Sequence, residues 1–349
     1  MTKQQAEPTG DELHALPEKN MDGFNLRFYN YDDSWLSWAI NPLDATEQNA
    51  DKVNDEIYNR NRRVEAKFNA VITEDKVKHT NDNLEQLVMS GDNAFDIVMV
   101  YDENVAGIYS SGILDTWDKL PYVDLERSWW NADANNVFQI QGKQFAAVGN
   151  FTLAMLSRGF VMLFNKDMLA SQLPDTNLYD LVRDSKWTLD AYAEVGKNFV
   201  KDINGDGVYD ENDQYATAGA VKLSIGALVT GADVKYISTN SDGDPYFAIP
   251  GNTHAFDVFE KIFNIHNGSN IYFAPVKSDV HSGSKEAQAM FKNQQTLFMG
   301  TSTKAVANYR DANFDIGIIP FPKYDEAQDG YRILTSGATV AAIPETLPE

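Results

Sequence analysis

The amino-acid sequence predicts an α/β protein with two lobes, each a sheet flanked by helices. The chain has 349 residues, which suggests two domains if one domain takes about 150 residues. Strand-like and helix-like patterns alternate along the first part of the chain, and the alternation restarts near residue 158. Hydrophobic residues make up 43% of the chain and aromatic residues 12%, which is enough for two sizeable cores.

The first lobe is predicted from a strand–helix–strand–helix–strand order. Residues 24–30 alternate apolar and polar side chains, as a strand does, and Val53, Ile57, Val64 and Phe68 share one face of a helix. A strand at 70–73, a helix through Leu84 and Val88, and a buried strand at 95–100 follow. This order favours a parallel sheet with right-handed crossovers.

The rest of the chain predicts a hairpin and a second α/β lobe. Residues 138–148 indicate a hairpin that turns at Gly142, and a strand then begins at Arg158. Thr188, with Asp190 and Glu194 after it, indicates the start of a helix that spans 187–200. The later predicted elements are helices at 253–265 and 285–292 and strands at 296–299, 314–319 and 338–343.

These patterns give a predicted domain organisation. Residues 1–22 form a flexible leader, and residues 23–146 form lobe I, to which residues 335–349 return. Residues 147–334 form lobe II. The chain stops just after a strand-like stretch, so we expect a C-terminal truncation that leaves lobe I incomplete.

Composition excludes several functions. The chain has 51 acidic and 29 basic residues and a net charge of -22, so nucleic acid and anionic membrane surfaces are poor partners. It has no cysteine, which excludes disulfides, zinc–thiolate sites, iron–sulfur clusters and thiol nucleophiles. No apolar run approaches the ~20 residues of a membrane-spanning helix, and no signal peptide is visible at the polar N-terminus. Either the protein is cytosolic or the numbering begins after a removed export segment.

A twelve-residue acidic loop predicts a calcium site. Residues 202–213 have the EF-hand spacing, with Gly207 at position six and a carboxylate at position twelve. Position twelve is aspartate rather than glutamate, which shortens the bidentate reach, and a single loop argues for a structural ion. The alternative is a solvated acidic turn without an ion. The predicted ligands are Asp202, Asn204, Asp206, the Val208 carbonyl, Asp210 and Asp213.

Enzyme signatures are weak. The nucleophile-elbow, dinucleotide and P-loop motifs are absent, and the SxxK match at 282–285 lacks its companion motifs. The five histidines show no HExxH spacing, so a catalytic zinc is not indicated. A carboxylate pair for glycoside hydrolysis remains an alternative.

Aromatic and polar residues follow several predicted strands, where α/β sheets bind ligands. Residues 31–35 and 101–103 combine aromatic rings with carboxylates, and residues 300–302 add two hydroxyl side chains. Rings can stack on the CH face of a sugar while polar groups bind its hydroxyls, but each residue is equally consistent with an ordinary loop or helix cap. The tryptophans at 117, 129, 130 and 187 are interpreted as packing residues.

Several segments together resemble a known family. They are the runs at 57–65, 95–100, 142–147, 164–168, 187–190, 314–323 and 328–331, and the pair Ile343-Pro344. Over roughly residues 24–344 the chain resembles the extracellular solute-binding proteins of ABC importers, in particular the carbohydrate-type lipoproteins of Gram-positive bacteria. The family's signal peptide, lipid-bearing cysteine and C-terminal helices are missing from this sequence.

The resemblance implies a type II periplasmic-binding-protein-like architecture with hinge crossings near 147–150 and 335–338. It implies a monomeric, cell-surface-tethered receptor that binds a carbohydrate in an inter-lobe cleft and delivers it to a membrane permease. The implied ligand contacts are Tyr31, Asp32, Trp35, Tyr101, Asp102, Asn150, Thr301 and Ser302. A secreted carbohydrate-active enzyme and a surface interaction module without a small ligand are the alternatives.

Overall fold

A computed structural model of the chain describes residues 16–32, 34, 41–78, 81–268, 270–274 and 284–347. The chain forms two compact units. Unit 1 comprises residues 1–157, 239–246 and 337–349, and unit 2 comprises residues 158–238 and 247–336. The chain therefore passes between the units at 157/158, 238/239, 246/247 and 336/337, whereas the sequence predicted two crossings, near 147–150 and 335–338. Residues 1–15 of the predicted leader lie outside the described segments.

Unit 1 contains a mixed sheet with the strand order β2-β1-β3-β15-β4, and β7 also pairs with β15. The first three strands are parallel, as predicted, whereas β15 returns antiparallel to β3. The strands are β1 (Phe24–Tyr31), β2 (Ala70–Val77), β3 (Ile97–Tyr101), β4 (Leu114–Asp115), β5 (Gln139–Ile140), β6 (Lys143–Gln144), β7 (Ala146–Ala147) and β15 (Thr339–Pro344). The helices are α1 (Lys52–Phe68), α2 (Asn81–Met89), α3 (Val105–Ser110), α4 (Ala132–Val137) and α5 (Ala154–Arg158).

The predicted hairpin turn forms in unit 1. Strands β5 and β6 pair antiparallel, with Gln139 opposite Gln144 and Ile140 opposite Lys143. The two residues between them, Gln141 and Gly142, both have positive φ angles, of 50° and 73°. Two-residue hairpin loops favour this conformation because its twist matches that of the flanking strands.

Unit 2 contains a five-stranded sheet in the order β12-β9-β13-β8-β14. Strand β13 is parallel to β9 and antiparallel to β8. The strands are β8 (Phe160–Asn165), β9 (Tyr215–Ala218), β12 (Tyr272–Phe273), β13 (Thr296–Ser302) and β14 (Ile316–Ile319). Two short strands, β10 (Ile237–Thr239) and β11 (Pro245–Phe247), pair with each other at the two ends of residues 239–246, which belong to unit 1. The helices are α6 (Lys166–Gln172), α7 (Leu178–Arg183), α8 (Leu189–Gly196), α9 (Val221–Gly231), α10 (Thr253–Gly268) and α11 (Ser284–Lys292).

Trp187 anchors the core of unit 2. Its side chain is fully buried, and its Nε1 donates a hydrogen bond to the Pro320 carbonyl at 3.0 Å. The predicted helix over 187–200 was too long at both ends. Its α-helical part begins after Thr188, whose hydroxyl accepts from the Ala191 N–H, and ends at Gly196. Trp187 precedes the helix because its ring enters the core and its backbone bonds to Lys323.

A buried histidine of α10 packs against β12 in unit 2. His266 stacks on Tyr272 with ring centroids 4.6 Å apart and an interplanar angle of 12°. Neither ring nitrogen has a hydrogen-bond partner among the described residues. Burial lowers the pKa of His266 to about 4, because the imidazolium form would lose its hydration.

The His266 site predicts acid-sensitive stability. The folded state holds the pKa of His266 below its ordinary value of 6.5, so the unfolded chain binds the extra proton first as the pH falls. We expect the histidine to lower the free energy of unfolding by about 2 kcal/mol between pH 7 and pH 5. His266→Phe should remove that part of the loss, as measured by urea unfolding at both pH values.

Tyr272→Phe is the matched control for this prediction. It keeps the stacked ring but loses the hydrogen bond from the Tyr272 hydroxyl to the Gly219 carbonyl at 2.7 Å. It should lower stability at both pH values and leave the pH dependence as it is in the unmodified protein. An unchanged pH dependence in His266→Phe would contradict the prediction.

Candidate functional site

Tyr31, a predicted ligand contact at the C-terminal end of β1, is buried inside unit 1. Tyr31 is only 1% exposed, and its hydroxyl oxygen accepts a hydrogen bond from the Tyr101 N–H at 3.1 Å. Its ring is therefore part of the framework that joins β1 to β3. Asp32 follows at the surface end of the strand, and its carboxylate accepts from the Ser34 N–H at 2.8 Å. The predicted contact Trp35 lies outside the described residues.

At the C-terminal end of β3, the Asp102 side chain binds the backbone just before β15. One carboxylate oxygen of Asp102 accepts from the Gly337 N–H at 3.0 Å and the Ala338 N–H at 3.2 Å. The other accepts from the Glu103 N–H at 2.8 Å. Burial raises the pKa of Asp102 above its ordinary value, because the carboxylate loses part of its hydration. Tyr101, one residue earlier, is half-buried opposite Thr339.

The end of β13 in unit 2 carries two further predicted contacts. Thr301 and Ser302 are only 6% and 5% exposed. The Ser302 hydroxyl lies 3.4 Å from Nη1 of Arg158, a buried arginine whose Nε donates to the Ser336 carbonyl at 3.0 Å. These two hydroxyl residues therefore belong to a buried polar layer at this strand end.

Asn150 lies beside a surface that we call the aromatic shelf, made of Trp129, Trp130 and Phe151 of unit 1. The exposed Asn150 donates its backbone N–H to the Trp129 carbonyl at 2.7 Å. Trp130 makes an edge-to-face contact with Phe151 at a centroid distance of 6.0 Å. Residue 149 must be glycine, because a Cβ there would lie 2.7 Å from the Trp130 ring.

All four tryptophans were interpreted from the sequence as packing residues. That interpretation is confirmed for Trp117 and Trp187, which are 5% and 0% exposed, and for Trp130, whose ring meets that of Trp117 edge to face at a centroid distance of 5.7 Å. Trp129 is half-buried, and the guanidinium of Arg127 lies 5.7 Å from the centroid of its ring. The sequence analysis did not group these rings into one surface, although two adjacent tryptophans precede Asn131, which caps a helix.

Hydrogen bonds from backbone N–H groups to carboxylate side chains hold the predicted calcium loop in its conformation. The two carboxylate oxygens of Asp202 accept from the Gly205 N–H at 2.6 Å and the Gly207 N–H at 2.9 Å. Asp206 accepts from the Val208 N–H at 2.7 Å. These contacts turn the loop around the residue at its first position.

The remaining loop positions are fixed in the same way. Asn204 accepts from the backbone N–H of Asp206 at 3.0 Å, and Asp210 accepts from that of Asn212 at 2.8 Å. Asp213 is fully buried and accepts from the Ile203 N–H at 2.8 Å and the Asp210 N–H at 3.0 Å. The loop is thus ordered from its first position to its last.

The loop ends differently from a helix–loop–helix motif. An antiparallel bridge between Lys201 and Gln214 closes its base, and β9 follows in place of a second helix. Over the described ranges, no group of three or more His, Cys, Asp or Glu side chains lies close enough together to hold a metal ion. The calcium site therefore stays a prediction based on the spacing of the loop residues.

A comparison with protein-family models matches residues 47–348 to the family described as bacterial extracellular solute-binding proteins. The chain belongs to this family. The resemblance inferred from the sequence motifs is thereby confirmed at the level of the family. Among the helices described for this solute-binding protein, none has the length and apolar composition needed to span a membrane.

Solved structures support the same fold. UspC of Mycobacterium tuberculosis is 17% identical with a TM-score of 0.59, and the match covers 93% of this chain and 73% of UspC. A family 1 extracellular solute-binding protein from Bifidobacterium longum subsp. infantis is 18% identical with a TM-score of 0.54, covering 93% and 72%. Maltotriose-bound MalE of Bdellovibrio bacteriovorus is 14% identical with a TM-score of 0.50, covering 93% and 72%. A search among curated protein sequences found no match.

The position of Tyr31 predicts a stability effect without a binding effect. Tyr31→Phe removes the acceptor of the Tyr101 N–H, which then lacks its 3.1 Å partner at the β1 and β3 strand ends. We expect a loss of about 1–2 kcal/mol in the free energy of unfolding, measured in urea, because the buried strand ends lose the hydrogen bond between the Tyr101 N–H and the Tyr31 hydroxyl. Ligand affinity in calorimetry should stay within experimental error. A fall in affinity with unchanged stability would instead indicate that the hydroxyl contacts the ligand.

Proposed function

We propose that this solute-binding protein is the extracellular receptor of an ABC importer and that its ligand is a carbohydrate. Family membership supports the receptor role. The carbohydrate class is supported by the neighbour from Listeria monocytogenes, Lmo0181, in complex with cycloalternan, and by MalE bound to maltotriose. The GacH receptor of Streptomyces glaucescens in complex with acarbose is a further similar structure.

The aromatic shelf is the observation on this chain that carries the proposal. A half-buried ring such as Trp129 offers an apolar face to the CH groups of a sugar, and the neighbouring Asn150 amide offers a donor and an acceptor to its hydroxyls. We propose that Asp32, Tyr101 and Trp35 add further direct contacts. The remaining predicted contacts would act indirectly, by holding the ends of their strands in place. They are Tyr31, Asp102, Thr301 and Ser302.

The net charge of the chain supports a neutral ligand. With a net charge of -22 the protein surface repels anions, so sulfated or carboxylated saccharides would approach against an unfavourable potential. A neutral oligosaccharide, bound by stacking and hydroxyl hydrogen bonds, avoids this cost.

Titration with neutral oligosaccharides tests the proposal. The unmodified protein, titrated with maltotriose and with a cyclic glucan in a calorimeter, should bind at least one of them. Trp129→Ala should weaken that binding by about fivefold or more, because a ring contact contributes about 1 kcal/mol beyond its buried area. Failure of every saccharide to bind, with anionic sugars included in the panel, would contradict the carbohydrate assignment.

Tyr122→Ala is the matched control. Tyr122 is an aromatic residue of unit 1 that is 68% exposed and lies outside the shelf, so its removal should leave affinity unchanged. The same titrations should release no reducing sugar over a day, since we propose binding without hydrolysis. Product formation that is lost on changing one carboxylate near the shelf would favour the carbohydrate-active enzyme.

The proposal includes a place of action and an oligomeric state. We propose that the protein acts as a monomer tethered at the cell surface, where it passes its ligand to permease subunits. Fractionation of producing cells and sedimentation velocity of the purified chain test these two parts separately.

We also propose that residues 202–213 bind a structural calcium ion. The twelve-residue spacing supports this proposal, as do the positive φ angles of Gly205 and Gly207, 73° and 78°, which let the loop turn sharply. Ca²⁺ would take the place of the backbone N–H groups that now donate hydrogen bonds to the carboxylates of Asp202 and Asp206. The ion would relieve the repulsion among these closely spaced acidic side chains.

Chelation tests the calcium proposal. Removing Ca²⁺ with EGTA should lower the melting temperature of the unmodified protein, because a ligand of the folded state alone stabilises it by mass action. Asp206→Asn should abolish most of this calcium dependence. Asp184→Asn, which removes an exposed carboxylate of unit 2 outside the loop, should preserve it. A melting temperature that does not change with Ca²⁺ concentration would identify the loop as a turn without an ion.

A further inference from the structure

The sequence contains two Asn-Gly steps, Asn204-Gly205 in the loop 202–213 and Asn267-Gly268 at the end of α10. An asparagine before glycine is chemically labile, because the next backbone nitrogen can attack the side-chain amide and glycine has no Cβ to hinder it. The attack requires a backbone that lets this nitrogen reach Cγ of the asparagine. All four residues are exposed, so their conformations distinguish the two steps rather than their access to water.

Helix α10 protects the step that it contains. Asn267 and Gly268 are its last two residues, and the backbone nitrogen of Gly268 takes part in the helical hydrogen-bond pattern. The Asn267 amide nitrogen also donates to the Phe263 carbonyl at 2.9 Å, which directs the amide back along the helix. Attack by the Gly268 nitrogen therefore requires the last turn of the helix to open.

The loop holds its own step in a different conformation. The side-chain oxygen of Asn204 accepts from the Asp206 N–H at 3.0 Å, an Asx turn in which the side chain curls back over the peptide bond to Gly205. Gly205 has a φ angle of 73°, and a Cβ built at this position would meet no atom within 4 Å. Its nitrogen is therefore unshielded, and no helix has to open before it reacts.

Two carboxylates of the loop contact the atoms that would react. Asp202 accepts from the Gly205 N–H at 2.6 Å, so an acceptor is in place for the proton that this nitrogen must lose. Asp206 accepts from Nδ2 of Asn204, the leaving nitrogen, at 3.0 Å. The attacking nitrogen and the leaving nitrogen are thus each hydrogen-bonded to a carboxylate.

We propose that Asn204 is a site of spontaneous deamidation in the folded protein. The Gly205 nitrogen forms a bond to Cγ of Asn204 and gives its proton to the Asp202 carboxylate, which passes it to water. The bond from Cγ to Nδ2 breaks, and the amide nitrogen takes up a proton from water and leaves as ammonia. Water then opens the cyclic succinimide and leaves aspartate or isoaspartate at position 204.

The modification changes the charge of the loop. An aspartate at 204 loses the hydrogen bond that the amide donates to Asp206 and places a second carboxylate beside it. Repulsion between the two makes the folded loop more dependent on a bound cation. An isoaspartate instead lengthens the backbone between the third and fourth loop positions and disturbs the ligand spacing. This consequence rests on the proposed calcium site, whereas the modification itself does not.

Peptide mapping by mass spectrometry, after incubation at mildly alkaline pH with EGTA, tests the proposal. The folded full chain should deamidate at Asn204 at least about tenfold faster than at Asn267, because the helix keeps the Gly268 nitrogen from its target. In concentrated urea, where neither conformation persists, the two steps should react at similar rates. Equal rates in the folded chain, or a faster reaction at Asn267, would overturn the proposal.

Two glycine variants identify the attacking atom. Gly205→Ala places a Cβ beside the attacking nitrogen, so it should slow deamidation at Asn204 and leave the rate at Asn267 unchanged. Gly91→Ala is the matched control, because Gly91 of unit 1 has a similar φ angle of 74° and equally open surroundings. It should leave both rates unchanged. Deamidation at Asn204 that is as fast in Gly205→Ala as in the unmodified protein would contradict attack by this nitrogen.

Added Ca²⁺ separates this proposal from the calcium proposal. If the loop binds Ca²⁺, saturating Ca²⁺ should slow deamidation at Asn204, since Asp202 and Asn204 are predicted ligands, and should not affect Asn267. Asn204→Asp, which reproduces one product, should melt at a lower temperature than the unmodified protein in EGTA and gain more from Ca²⁺. Rates and melting temperatures that do not respond to Ca²⁺ would contradict the calcium site and leave the modification site established by the mapping.

Discussion

The antiparallel pairing of β15 with β3 is the interaction on which unit 1 depends. The register runs from Thr339 opposite Tyr101 to Ala342 opposite Val98, and all six residues of β15 are buried. Strand β15 also pairs with β4 and β7, so together with β3 it has three neighbouring strands. Without β15, the sheet would end at β3 with a row of unpaired backbone groups. The ladder also brings the backbone N–H of Gly337 to the Asp102 carboxylate, from which it lies 3.0 Å.

Features with a local cause could be predicted from the sequence. Alternation over 24–30 predicted β1, the residues around Gly142 predicted a hairpin turn, and Thr188 predicted a helix start. Each depends on side chains within a few residues of one another, so the sequence window contains the whole cause. The antiparallel return of the last strand into the first sheet depends on contacts between distant parts of the chain, and its orientation was not predicted.

The roles of the site residues could not be predicted for the same physical reason. Tyr31 and Asp102 have the residue types of a sugar site, but each is also suited to hold backbone N–H groups. Which role applies to Asp102 depends on Gly337, 235 residues further along the chain. The exposure of Trp129 was likewise not predictable from its residue type, since its ring is half-buried and lies near the Arg127 guanidinium. Burial is a tertiary property, and residue type alone does not determine it.

The late position of β15 has a consequence for biosynthesis. Unit 2 is built from residues 158–238 and 247–336, so all of it has been translated before β15 emerges from the ribosome. In the sheet of unit 1, by contrast, β3 remains an unpaired edge strand until residues 339–344 have been translated. Nascent chains in this interval expose a template for intermolecular strand addition, which is when a chaperone would protect them most effectively.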